Sequence, residues 1–328
     1  MPGRGPLAVA CALVTLVLSV ASVTGTEPPP APPWESGLGG DHPLVGRIWE
    51  PATGRWITPQ ALASRLASAR FVLLGEKHDN ADHHRLQAWL LRELVTVGRR
   101  PAVALEMLSV DDDTTIARQR VIAPHDAAAL ARAVDWAHSG WPDFRFYEPI
   151  VRAALEAGLP LVGANLSRSA TQEARKGGLA ALDLALRARL GLDRPLPTEA
   201  SIALFAEIRH GHCDAIPDET VERMVDVQRA RDAQMAEALV RAATRDGAVL
   251  IAGAGHARVD RAVPWVLTAL APTATVVSVA LVEVRKDVVD PAGLGRDATA
   301  YDAVWFTPRV DDRDPCESFP TPGRRRSP

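Results

Sequence analysis

"FVLLGEKHDN", residues 71–80, sets a four-residue apolar run against a glycine and then places Glu76, Lys77 and His78 within three positions. The run has no polar alternation, which suits a strand buried on both faces in a parallel sheet covered by helices. The pattern returns at 249–258, where "VLIAGAGHAR" again leads an apolar run into Gly-x-x-His. In open sheets of this kind ligands collect at the carboxyl ends of the strands. A glycine there lets the chain turn sharply and lets another group approach the backbone. The repeat predicts that Gly75 to His78 and Gly253 to His256 lie at adjacent strand ends, with both histidines near enough to share one ligand.

Four further strand candidates follow residues 71–75: "AVALEM" at 102–107, "LPLVGANL" at 159–166, "AVLIAG" at 248–253, which is the strand of the second motif, and "TVVSVALV" at 275–282. Helical stretches separate them, and that alternation predicts an α/β fold, a parallel sheet flanked by helices with right-handed crossovers. Residues from about 170 to 245 are rich in Ala, Leu, Arg and Glu without a strand signal, and read as a helical insertion subdomain. "PLVGRIWEPATGRWIT" at 43–58 resembles a small hairpin turning at "PATG".

The chain has 328 residues, 47% of them hydrophobic, enough to bury a large core. With 37 Lys+Arg against 40 Asp+Glu it lacks the electrostatic footprint of a nucleic-acid-binding protein. Residues 1–25 read as a secretory signal: Arg4, then "LAVACALVTLVLSVASV", then small residues, with cleavage after Ala21 or Gly25. An uncleaved anchor is the competing reading, since the apolar stretch approaches the ~18 residues needed to span a bilayer. Membrane association is expected only through such an uncleaved signal. Residues 26–43 form a Pro/Gly linker, 44–310 the α/β domain with ordered structure beginning near Leu44, and 311–328 a tail. The exported location, periplasmic, cell-envelope or secreted, leads to an expected disulfide between Cys213 and Cys316, the two cysteines of the mature chain. Two unrelated buried thiols are the alternative.

The carboxyl ends of the strand candidates offer Glu76 and His78, Glu106, Asn165 and His256. After His78, the stretch 79–98 reads as a helix capped by Asp79 or Asn80, with Leu86, Trp89, Leu90, Leu94 and Val97 as its inward stripe. His83 lies on that side and His84 points away. "WAHSGWPDFRFYEPIVRAALEAG" at 136–158 brings His138, Trp141, Phe144 and Tyr147 together before another helix. A tyrosine phenolate is a recognised haem-iron ligand. No His-Glu-x-x-His, Cys-x-x-Cys-His or Gly-x-Ser-x-Gly motif occurs in the sequence.

Taken in order, "GEKHDNADHH", "ALEML", "WPDFRFYEPI", "GANLSR", "RARDAQMAEAL", "GAGHAR" and "YDAVWFTP" resemble the ChaN-like haem-binding lipoproteins of the haem-binding-uptake and Tiki superfamily, over roughly 44–310. The resemblance implies an α/β core of the ChaN and erythromycin-esterase kind with a helical subdomain, haem binding linked to iron uptake, and a homodimer around cofacial haems. The chain departs from the family in lacking a lipobox cysteine. In the binding reading, haem is the cofactor, held by Tyr147 or a histidine among His78, His83 and His256, with Arg168 or Arg258 meeting its propionates. In the hydrolase reading, an esterase or protease, a divalent metal ion sits on His78, His256 and Glu76, and Glu76 or Glu106 acts as ligand or general base. A scaffold with an inert site is the third reading.

Overall fold

The computed structural model describes residues 30–318, and the expected signal lies outside them. An eight-stranded sheet forms the centre, in the order β2-β1-β8-β7-β3-β6-β4-β5. The hairpin comes first, as β1 (Ile48–Glu50) and antiparallel β2 (Arg55–Ile57), followed by α1 (Pro59–Ala67). The apolar run after it is β3 (Phe71–Glu76), leading into α2 (Ala81–Thr96) and β4 (Ala102–Ser109). Next come α3 (Asp113–Ile122), α4 (Ala127–Ala133), α5 (Phe144–Glu156) and β5 (Leu161–Asn165). Four helices then run without a strand: α6 (Arg168–Gly177), α7 (Leu184–Leu190), α8 (Thr198–Gly211) and α9 (Asp218–Ala242). The chain returns to the sheet as β6 (Ala248–Gly253), α10 (Val263–Leu270), β7 (Val276–Glu283) and β8 (Ala303–Thr307).

Strands β3 to β8 are mutually parallel where they pair, and β1 closes against β8 antiparallel. Successive side chains of a strand point to opposite faces. Val72 and Leu74 therefore enter one core with Leu86, Leu90 and Ile150, while Phe71 and Leu73 enter a second with Met235, Leu239 and Leu267. Helices cover both faces, which is why these strands read as continuous apolar runs. A third cluster, including Leu166, Leu182, Leu190 and Ala230, holds the helical stretch together.

One expectation needs correction. Order begins well before Leu44: the backbone N–H groups of Glu35 and Ser36 donate to the Asp82 carboxylate at 2.7 and 2.9 Å, and Trp34 packs on the core. The proline-rich segment thus docks on the start of α2. The hairpin read at 43–58 joins the edge of the parallel strands, as β1 and β2 running antiparallel beyond β8.

Cys213, just past α8, is bonded to Cys316. The bridge spans 103 positions and closes a long loop of the unfolded chain. Cys213→Ser should lower the free energy of unfolding by about 2–4 kcal/mol, measured by urea titration against the oxidised parent. The same urea midpoint in both proteins would show that the bridge contributes no stability.

Candidate functional site

Strands β3 and β6 pair in register, Gly75 beside Ala252 and Glu76 beside Gly253, so the two Gly-x-x-His segments emerge next to each other. Each glycine makes room for the other segment. A Cβ on Gly75 would stand 2.8 Å from the Ala254 Cα and 3.0 Å from the Ala257 Cβ. A Cβ on Gly253 would stand 2.9 Å from His78 Nε2. The absent side chains are what let the two motifs interlock.

Two buried carboxylates organise the charges there. Glu76 Oε1 lies 2.9 Å from His78 Nδ1 and accepts from the Tyr147 hydroxyl at 3.0 Å. Its Oε2 lies 3.1 Å from His84 Nε2, near enough for an ion pair though off the line of a hydrogen bond. Glu106 Oε2 accepts from the backbone N–H of Gly253 at 2.7 Å. Its Oε1 takes Arg231 Nη2 and lies 3.3 Å from His256 Nε2. His256 Nδ1 is 2.6 Å from Asp232 Oδ1, which leaves the imidazole between two carboxylates. His78 Nε2 approaches Glu106 Oε2 at 3.9 Å. The two motif histidines therefore do converge on one group, and that group is Glu106.

The electrostatics follow from this pairing. Burial alone would raise the Glu76 pKa, but the His84 charge and the contacts with His78 and His84 outweigh it and hold it at about 2. Glu106 is likewise held well below the usual carboxylate range, its burial outweighed by the charges of His256 and Arg231. Burial would lower His256, yet Glu106 and Asp232 raise it to about 9. Asp232 is itself pushed up by burial, so Glu106 is the firmer counter-charge of the imidazolium. His78 is raised too, because the bond to Glu76 and the charges of Glu106 and Glu76 overcome its burial. Both motif histidines are thus held towards the protonated form in the metal-free network. Among the described residues, no group of three or more His, Cys, Asp or Glu side chains is placed to hold a metal ion.

His83 is different. Its Nδ1 accepts from the Lys77 N–H at 2.9 Å, and its Nε2 meets Thr307 Oγ1 at 2.8 Å. Burial first, then the His84 charge, depress its pKa to about 3. These shifts give stability a maximum in pH. The His256 contribution is complete below 6.5, its ordinary value, and is lost as pH rises through about 9. Glu76 contributes above 4.5 and is lost as pH falls through about 2. His83, favoured neutral in the fold, opposes stability below 6.5, increasingly down to about 3. The urea midpoint should therefore peak near pH 6.5 and fall on both sides. A midpoint still rising from neutrality to pH ~10 would contradict the charge assignment of His256.

The other expected site residues fall in distinct places. Tyr147 is fully buried, and its pKa is pushed up by that burial and by the Glu76 charge. The fold thus holds it as a neutral phenol that donates to Glu76. Arg258 is buried in ion pairs with Asp260 and Asp297. Arg168 is exposed on α6 and lines a cleft of about 630 Å³ beside the strand ends. His84, read from the helix stripe as pointing away, is buried against Tyr147 and Phe146. The stripe misleads because α5 covers a second side of α2. Arg231 and Asp232 were not singled out as site residues. They lie inside "RARDAQMAEAL", one of the stretches that carry the family resemblance, on a helix remote in sequence from Glu106.

A profile for the family described as "Haem-binding uptake, Tiki superfamily, ChaN" matches residues 62–267. Among solved structures, ChaN of Campylobacter jejuni with cofacial haem is similar at a TM-score of 0.63 and 24% identity, covering 79% of this chain and 95% of that one. The type III effector HopBA1 gives a TM-score of 0.41 at 14% identity, covering 81% of this chain and 97% of the effector. A mutant of the erythromycin esterase EreC in its open conformation gives 0.39 at 16%, covering 68% and 72%. No curated protein sequence matches the chain.

Proposed function

Because the chain belongs to the haem-binding uptake, Tiki superfamily, ChaN family, we propose that it is an exported protein that binds haem as part of iron or haem uptake. The observation that carries the haem-binding part of this reading is the family match, which spans the segment from before Glu76 to beyond His256. The cleft beside the strand ends is chemically suited to the ligand. Met107, Trp141, Leu166 and Val227 give it apolar lining, while Arg168, Arg175 and Arg231 are cationic. Its volume, about 630 Å³, lies in the range of small-molecule sites. Guanidinium groups match carboxylates with paired donors, as haem propionates require. Bound there, haem supplies an iron atom as cargo.

The strand-end network supports this role as a scaffold beneath the cleft. Arg231 Nε donates to Asn165 Oδ1 at 3.1 Å, and Asn165 Nδ2 donates to the Glu106 carbonyl at 2.9 Å. Through these bonds the cleft floor is tied to the charge network. Hemin titrated into the purified mature chain should give a saturable shift of the Soret band at about one equivalent. A linear, unsaturable change equal to that given by an unrelated protein would reject the proposal. Amino-terminal sequencing of the secreted protein tests export separately, with a start after Ala21 or Gly25 expected.

A further inference from the structure

We propose that His138 ligates the haem iron, with Asp135 positioning its ring and Arg168 and Arg175 receiving the propionates. This assignment rests on the haem-binding reading above and adds to it the residues that hold the ligand. The strand-end histidines are placed otherwise: His256 lies between two carboxylates, His83 is held by Thr307 and a backbone N–H, His84 is buried beside Glu76, and His78 is bonded through Nδ1 to Glu76 with its Nε2 turned to Glu106 at 3.9 Å. His138 lines the cleft with its side chain 81% exposed. Its Nδ1 lies 2.7 Å from Asp135 Oδ1, and its Nε2 has no partner among the described residues. A carboxylate on one ring nitrogen fixes the tautomer, directs the other lone pair outward and raises its basicity. Asp135 also raises the pKa of the ring, so iron would displace the Nε2 proton while the carboxylate keeps the one on Nδ1, and an imidazole held in that way is a common haem-iron ligand.

The turn that carries the pair is anchored. Asp135 adopts a left-handed backbone, φ 53°, a conformation that a non-glycine residue keeps only where its surroundings impose it. The short helical turn Trp136–His138 follows directly. Trp136 is 5% exposed, packs on Phe144 and Tyr147, and donates from Nε1 to the Pro142 carbonyl at 2.9 Å. An exposed histidine thus stands on a buried tryptophan. Across the cleft, α6 presents Arg168, Thr171, Gln172 and Arg175, positions spaced to share one helix face. The two arginines are rooted two turns apart, about 10 Å along the axis. Arg168 lies 3.8 Å from Asp112, a carboxylate already accepting from Ser109. Arg175 is exposed and enters no ion pair among the described residues.

The test is a hemin titration of the full mature chain, read by its visible spectrum, on the parent, His138→Ala and Asp135→Asn. His138→Ala should lose the spectrum of histidine-ligated ferric haem and weaken binding at least tenfold, and Asp135→Asn should weaken it about tenfold. Added imidazole should restore the parent spectrum to His138→Ala, which a merely structural role would not produce. His138 is exposed enough that its replacement leaves the core intact. A parent that binds hemin while His138→Ala keeps the same spectrum and affinity overturns the ligand assignment but not the haem reading. Loss that imidazole does not restore overturns the assignment as well. A parent that binds no hemin overturns both.

Discussion

Glu106→Ala should destabilise the fold by about 3–5 kcal/mol, the cost of removing one partner from a buried charge network. The carboxylate is 1% exposed and faces Arg231, His256, His78 and the Gly253 N–H. Its loss leaves Arg231 and His256 with Asp232 as the remaining nearby carboxylate, and strands a buried N–H at the end of β6. Glu106→Gln keeps the shape and an acceptor oxygen, so its cost should be smaller. In that variant the His256 pKa should fall from about 9 towards its ordinary value, because one of its two counter-charges is gone. Urea titration measures the first effect and the imidazole proton shifts in NMR the second. An alanine variant as stable as the parent, or an unmoved His256 titration, would mean that Glu106 is not the common partner of the two motifs.

Gly75→Val should be nearly as damaging, at about 3 kcal/mol or more, the upper end of overpacking costs. Its Cβ alone would meet the Ala254 Cα at 2.8 Å and the Val279 carbonyl oxygen at 3.2 Å. The first of these belongs to the second Gly-x-x-His segment and the other to β7. Neither backbone atom can retreat as a side-chain tip would, so the valine has to push the segment that follows β6, and β7, away from β3. The effect should appear as a lowered urea midpoint together with a disturbed His256 titration. Gly253→Ala meets instead the ring of His78, whose side chain is 34% exposed, and that ring can swing outward. It should therefore cost less. Equal losses in the two variants would contradict the interlocked arrangement.

Much of this arrangement is legible in the sequence because its causes are local. The apolar runs at 71–76 and 248–253 announce buried parallel strands, and the repeated Gly-x-x-His announces that their ends belong together. Asn80 is readable as a cap because its carboxamide accepts from the backbone at Asp82 and His83. What stays hidden depends on contacts across long sequence distances. Asp232 reaches His256 and Arg231 reaches Glu106 from α9, and nothing in an alanine-rich helix says which of its charges turn inward. His84 departs from the single apolar stripe because α2 is buried on more than one side. Strand β8, "AVWFT", carries no strand signal of its own in the sequence and stands there only within the family motif "YDAVWFTP". Tyr147 looked like a phenolate ligand by residue type, but ligation depends on access, and its hydroxyl is enclosed beside Glu76.

The most direct test of the account is one metal analysis on one preparation of the mature chain, dialysed in parallel against hemin and against Mn²⁺, Co²⁺ or Zn²⁺. The account predicts about one bound iron per chain, spectroscopically haem, and no stoichiometric divalent ion, because among the described residues no group of three or more His, Cys, Asp or Glu side chains is placed to hold one. A divalent ion bound one per chain and lost in both His78→Ala and His256→Ala, with no haem retained, would contradict it.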